Sequence, residues 1–309
     1  MNRTTMLATD AFRHEAVFYA GSEGFLDRVA PFVEEGVANG EPVMVALEAP
    51  KLRALQRRLG ATAEHVEWAD MGDIGHNPAC IIPAWRDFVA GRSGSMRGVG
   101  EPIWPSRTPD ELVECQCHEA LLNHAFDSTD GFHLLCPYDA AHLGRDVIEE
   151  AERSHPWVGA AENPHYRGHA QPPPQFSAPL PDAPGDTAQH RIAEETLPEI
   201  RAQVGEHARA AGISDARAGD LVLATHEVAA NSIAHGGGEG LLRIWHEDHS
   251  VICEVSDGGR LEQPLAGRAR PELDAEGGWG LWLANQLCDL VQLRTLPGGS
   301  VVRLHLRAG

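Results

Sequence analysis

The stretch Ala224–Gly238 reads ATHEVAANSIAHGGG and sets Glu227, Asn231 and His235 at successive four-residue steps among alanine, valine and isoleucine. Positions i, i+4 and i+8 of a helix share a face, drifting by about 40° per step. A carboxylate and a carboxamide therefore stand side by side on a helix that otherwise has the pattern of a packed one. Gly236 stands where such a helix is commonly capped. An exposed helix can carry a Glu and an Asn at this spacing with no function attached. The apolar neighbours argue that this face is not an ordinary solvated one.

Two glycine motifs follow. VICEVSDGGR (251–260) ends a strand with Asp257 directly before Gly258 and Gly259. A carboxylate there can accept a hydrogen bond from an exocyclic amine, and the glycines let a flat ring approach the backbone. The same three residues also make an ordinary turn. EGGWGLWLANQL (276–287) puts Gly277, Gly278 and Gly280 ahead of a helix, where backbone N–H groups form an anion site without a lysine. A glycine hinge in a loop is the plainer alternative.

The surrounding segments order themselves into two halves. From HEAVFYA to GRDVIEEAERSH, five strand-like runs alternate with five helical ones, the signature of an α/β parallel sheet with helices on both faces. The first strand-to-helix turn, YAGSEGFL, has the position of a phosphate loop without its chemistry. Seven prolines between Pro164 and Pro184 make a semi-rigid, extended linker. After it come two helices, two strands around a polar turn, a Gly/Arg-rich loop, a helix and a closing hairpin. That order predicts an α+β two-layer sandwich. The expected boundaries are 1–162 for the first domain, 163–189 for the linker and 190–309 for the second domain.

Composition narrows the function classes. The 309 residues carry a formal charge of −20, which argues against a direct nucleic-acid binder. Lys51 is the single lysine and sits in EAPKLRAL without the glycines of a Walker-type loop, so that nucleotide chemistry is excluded. No run of eighteen apolar residues spans a membrane, and the N-terminus lacks the apolar stretch of a signal peptide. A cytoplasmic location is expected. Six cysteines with no CxxC pair read as reduced thiols. Cys115 and Cys117 are two apart on a helix and point apart, which disfavours joint chelation. A thiol-plus-imidazole site of Cys117, His118 and Cys136, for a metal or haem, stands against the reading of these as buried structural cysteines.

The series ExxxN, DGG, GxGL and a terminal GGS (Gly298–Ser300) resembles the GHKL ATPase domain, nearest to the histidine-kinase-like domains of anti-sigma-factor serine kinases, over about residues 186–309. The resemblance implies ATP and Mg²⁺ as cofactors. It implies Glu227 as the general base and Asn231 as the magnesium ligand. It assigns Asp257 with Gly259 to adenine, Gly278 and Gly280 to the phosphates, and Ser300 to the position of a threonine near adenine. Residues 260–277 would form the lid, with Arg260, Arg268 and Arg270 as partners for the terminal phosphate. His235 would pack or cap the helix end. The DxGxG pattern is incomplete, because Leu261 follows Arg260, and Trp279 is bulky for a phosphate loop.

HEAVFY, GEPIWP, HEALLNHAF and LLCPYD in the first half resemble the MEDS (DcmR-type) sensory domain, a degenerate KaiC/RecA-like fold, over about residues 10–160. The resemblance marks His14, Glu101, His118, Glu119 and Asn123 as lining a sensory pocket or satisfying buried backbone. The fusion is similar to actinobacterial stress regulators. It implies a sigma factor and a STAS-type anti-sigma antagonist as partners, a serine phosphorylated on the latter, and a homodimer. A non-catalytic, sigma-sequestering nucleotide binder is the alternative. An atypical histidine kinase fits worse, since only His190 and His207 lie near and the linker leaves no room for a helical hairpin. A gyrase-type ATPase fits worse still, with no transducer domain before Gly309.

Overall fold

Runs such as VMVAL, buried at every position, suit strands covered on both sides, as parallel sheets require. The computed structural model describes residues 11–168, 174–272 and 277–308. The chain divides into two compact units, Met1–Gly75 with Ala84–Pro173 and His76–Pro83 with Pro174–Gly309.

The first half runs β1 (Arg13–Tyr19), α1 (Gly21–Ala38), β2 (Val43–Leu47), α2 (Ala49–Leu59), β3 (Glu67–Asp70), the single-turn α3 (Met71–Ile74), α4 (Ile81–Val89), β4 (Met96–Gly100), α5 (Pro109–Ala125), β5 (Phe132–Asp139), α6 (Arg145–Ser154), and the two-residue strands β6 (Trp157–Val158) and β7 (Ala161–Glu162). The sheet order is β3-β2-β4-β5-β1-β6-β7, parallel throughout except for β6 with β7. Alternation along β1 separates two faces. Val17 and Tyr19 join Phe25, Val29 and Leu55 in the core under α1 and α2, whereas His14 meets Glu119 and Asn123 of α5 on the other face. A capping box between Thr108 and Glu111, with Pro109 at the first helical position, starts α5. Of its ten buried residues, Glu111, Glu114, Gln116, His118, Glu119 and Asn123 are polar or ionisable, so this helix is buried for a reason other than apolar packing.

The second half runs β8 (Ala188–Ile192), α7 (Leu197–Ala210), α8 (Asp215–His235), β9 (Gly240–Glu247), β10 (Ser250–Asp257), α9 (Trp279–Leu287), β11 (Leu290–Leu296) and β12 (Gly299–Arg307). Its sheet, β11-β12-β10-β9-β8, is antiparallel at every pairing. One face carries Val251, Cys253, Val255 and Leu304 into a core shared with Ile200, Leu221, Val228 and Ala284 of the three helices, which gives two layers. On the outer face Glu254 is paired with Arg243 and Arg303, and Arg303 also donates to the Pro181 carbonyl at 2.6 Å. Strand β8 was not anticipated from the sequence. It is an edge strand with Ile192 as its single buried residue, so AQHRI carries almost no apolar alternation.

Gly98 on β4 is fixed by packing, since a Cβ there would lie 2.8 Å from Leu134 Cδ1 and 2.9 Å from Trp85 Cζ3. Trp85 is buried and its rigid ring cannot yield cheaply. Gly98→Ala should therefore destabilise the first half by about 1–3 kcal/mol, read as a lowered urea midpoint at unchanged slope.

Candidate functional site

The Ser214 hydroxyl caps α8, accepting from the Arg217 N–H, and the helix runs unbroken to His235. Its polar side meets the start of α9. A Cβ on Gly280 would lie 2.8 Å from Asn231 Nδ2 and 3.4 Å from Glu227 Oε2. Both side chains therefore abut the first turn of α9, and only glycine lets them approach so closely. Gly278 is the N-cap of α9 with φ of 90°, a conformation that favours glycine, so the chain enters the helix through a left-handed residue. The backbone N–H groups of that first turn have no partners within the helix.

The second anchor is Asp257, the last residue of β10, which pairs with Gly240 of β9 and Ser300 of β12. Its Oδ2 accepts from the Ser232 hydroxyl at 2.6 Å. Its Oδ1 accepts from the Gly259 N–H at 2.8 Å and the Ser300 hydroxyl at 3.0 Å. A carboxylate offers about four lone-pair positions, so three donors hold the group rigid and leave one acceptor position on Oδ2. Gly236 is the C-cap of α8, but its φ of −92° is not left-handed. It is glycine because a Cβ would lie 2.5 Å from Asp257 Cγ and 2.6 Å from the Ser232 carbonyl oxygen.

Asn231, Asp257, Gly259, Gly278 and Ser300 all line one cavity of about 710 Å³. Glu227 and Gly280 stand outside that lining. His235, expected to pack the helix end, is exposed and lines the cavity, because the Asn231 face continues to it four residues on. Of the three arginines, Arg260 and Arg270 line the cavity, while Arg268 is buried outside it. Trp279 packs edge-to-face on Trp282 at 5.7 Å between ring centres and lies off the cavity. Side chains of β11 and α9 tie the loop. Thr295 Oγ1 donates to the Leu261 carbonyl at 3.2 Å, and Asn285 Nδ2 donates to the Gly267 carbonyl at 2.9 Å. Residues 273–276 of the expected lid lie outside the described residues. Ser232 and Asn285 went unrecognised in the sequence, since their partners are 25 and 18 residues away and no local pattern links them. His190 falls in β8 and His207 in α7, neither on a helical hairpin ahead of this sheet.

The five polar positions marked in the first half do not form one group. His14, Glu119 and Asn123 come together, with His14 Nε2 3.1 Å from Glu119 Oε2 and Nδ1 3.1 Å from Asn123 Oδ1. His118 is buried beside Glu119 in sequence but one helical step, about 100°, round the helix. Cys136, weighed above with Cys117 and His118 against a structural role, has its Sγ 3.3 Å from His14 Nε2. Glu101 stands apart, at the end of β4, where Lys51 Nζ reaches both its oxygens at 2.6 Å and the Tyr19 hydroxyl donates at 2.6 Å. Burial pushes the Glu101 carboxyl up to about 7, with the Lys51 ammonium opposing the rise.

Compared with known families, residues 13–156 match the MEDS domain, the methanogen/methylotroph DcmR sensory domain. Residues 191–306 match the histidine kinase-like ATPase domain. No curated protein matches the chain.

Because the folded Glu101 carboxyl has a raised pKa, its contribution to stability is fully present below the ordinary carboxylate value and is lost as pH rises through about 7. Lys51→Met takes away the counter-charge and raises that pKa further. The variant should match the wild type closely near pH 5 and fall behind by about 1–3 kcal/mol above neutrality, as seen in chemical denaturation across that range.

Proposed function

We infer, for a chain that joins a MEDS sensory domain to a histidine kinase-like ATPase domain, that the second domain binds ATP with Mg²⁺ and transfers its terminal phosphoryl group to a serine of a STAS-type anti-sigma antagonist. The same domain sequesters a sigma factor, a second copy of the chain completes a homodimer, and the MEDS domain supplies the regulatory input. The observation that carries the reading is the meeting of Glu227 and Asn231 at Gly280, beside the cavity that Asp257 closes. No described helix is long and apolar enough to cross a membrane, and the regulator is assigned to the cytoplasm on this reading.

Each residue has a chemical task. Asp257, locked by Ser232, Gly259 and Ser300, offers its remaining lone pair to the adenine amine. Gly259 leaves room beside it for the ring, and Gly278 with Gly280 opens the N–H groups of α9 to the phosphates. Asn231 holds the metal through its amide oxygen. The magnesium ion, when bound, neutralises charge on the phosphate oxygens. Glu227 accepts the proton of the attacking serine hydroxyl while the bond from the terminal phosphorus to its bridging oxygen breaks. Arg260 and Arg270 are the cations that reach the cavity to meet the terminal phosphate.

A second reading, nucleotide binding without transfer, is favoured by one observation: Glu227 lies behind Gly280 rather than in the cavity lining. Incubation with labelled ATP and candidate STAS proteins separates the two. Transfer that falls by about 10²–10⁴-fold in Glu227→Ala, with ATP affinity kept, supports the kinase. Binding with no transfer supports the sequestering module. Asp257→Asn should weaken ATP binding by about 10–100-fold in either case, because an amide NH₂ would face donors. Unchanged affinity in that variant overturns the nucleotide assignment itself.

A further inference from the structure

On the α5 face of the β1–β5 pair, four elements each aim one donor atom at a common point. These are His14 on β1, Glu119 on α5, Cys136 on β5 and His155 directly after α6. Each residue is at most 1% exposed, and the four donor atoms lie within 4.8 Å of one another. His155 Nε2 is 3.1 Å from Glu119 Oε2, the same separation as His14 Nε2 from that oxygen.

The protons decide what this cluster is. Asn123 Nδ2 donates to the Ser154 carbonyl at 2.8 Å, so its oxygen faces His14 and requires a proton on His14 Nδ1. His155 Nδ1 lies 2.7 Å from the Ala151 carbonyl, a pure acceptor, and must also carry its proton. In a neutral imidazole the other nitrogen is then a bare lone pair. With both rings neutral, the two Nε2 atoms turn lone pairs toward Glu119 Oε2, each 3.1 Å away, the arrangement of a ligand set rather than of a hydrogen-bonded one. The four ligand atoms then hold one proton among them, that of the Cys136 thiol, in a site at most 1% exposed.

We propose that His14, Glu119, Cys136 and His155 form a closed tetrahedral site for a divalent transition-metal ion of the zinc class. Nitrogen, sulfur and oxygen donors at bond lengths of about 2.0–2.3 Å from a tetrahedral centre stand roughly 3.3–3.8 Å apart; here Glu119 Oε2 is 3.1 Å from each histidine Nε2, Cys136 Sγ is 3.3 Å from His14 Nε2, and all four atoms fall within 4.8 Å of one another. On binding, the Cys136 S–H bond breaks, the proton leaves to solvent and a sulfur–metal bond forms. One thiolate and one carboxylate then cancel the dication, which removes the cost of a buried net charge. Asn123 and the Ala151 carbonyl are the outer partners that fix both rings in the ligating tautomer. With four protein ligands no position is left for substrate, so the ion clamps β1, β5, α5 and the end of α6 together rather than catalysing.

The test uses the full chain grown with added zinc, or with cobalt in its place, and desalted. Mass spectrometry of the metal should give about one zinc ion per chain. The cobalt form should show the visible bands of a tetrahedral ion and a near-ultraviolet sulfur-to-cobalt transition. Cys136→Ser should abolish that transition, and Cys117→Ser, which alters a neighbouring buried thiol, should leave it intact. Metal-free wild-type protein, or cobalt protein without the sulfur band, overturns the proposal. Both wild-type readouts stand even if a variant fails to fold.

Discussion

The second half of the molecule is organised around one carboxylate. Asp257 draws hydrogen bonds from a helix, a loop and a neighbouring strand, through Ser232, the Gly259 N–H and Ser300. A cluster of three donors on one acidic group is worth several kcal/mol only while every partner stays in place. The backbone around it has accordingly been stripped of side chains. A Cβ at Gly236 would collide with the carboxylate, and one at Gly299, whose φ is 139°, would lie 1.9 Å from the Asp257 carbonyl oxygen. The crossing of α8 over the end of β10 and the tightness of the β11–β12 turn both answer to that requirement.

The same logic explains what a reader of the sequence can and cannot see. Glu227, Asn231, Asp257 and the α9 glycines are legible because each is a short-range pattern: a helical repeat, a strand end, a glycine-flanked helix start. The alternation of strands and helices in the first half is legible because hydrophobic runs buried on both faces are distinctive. What escaped were residues defined by partners far along the chain. Ser232 looks like any helix serine until Asp257 is laid beside it, and Asn285 looks like a surface amide until the Gly267 carbonyl arrives. His155 follows a helix and precedes a proline, with nothing local to mark it as an inward-facing ring.

The two halves also differ in how they handle buried polarity. In the second half it is divided between the Asp257 cluster at the cavity and the outer face of the sheet, where Glu254 is paired with Arg243 and Arg303. In the MEDS domain it lies within the fold, on α5 and the strands beneath it, where Glu119 meets two histidines out of reach of solvent. A carboxylate and two rings in that setting have to be justified by something they hold, since an apolar set of similar volume would fold at least as well.

Lys51 has a practical corollary. It is the one lysine in the sequence, and its amine is partly exposed while gripped by Glu101 and the Tyr19 hydroxyl. Amine-directed acylating reagents therefore have a single side-chain amine as their target in the whole sequence. Because only the unprotonated, released amine reacts, the rate of modification reports how firmly Glu101 and Tyr19 hold Lys51 at the carboxyl ends of β4 and β1, without any engineered label.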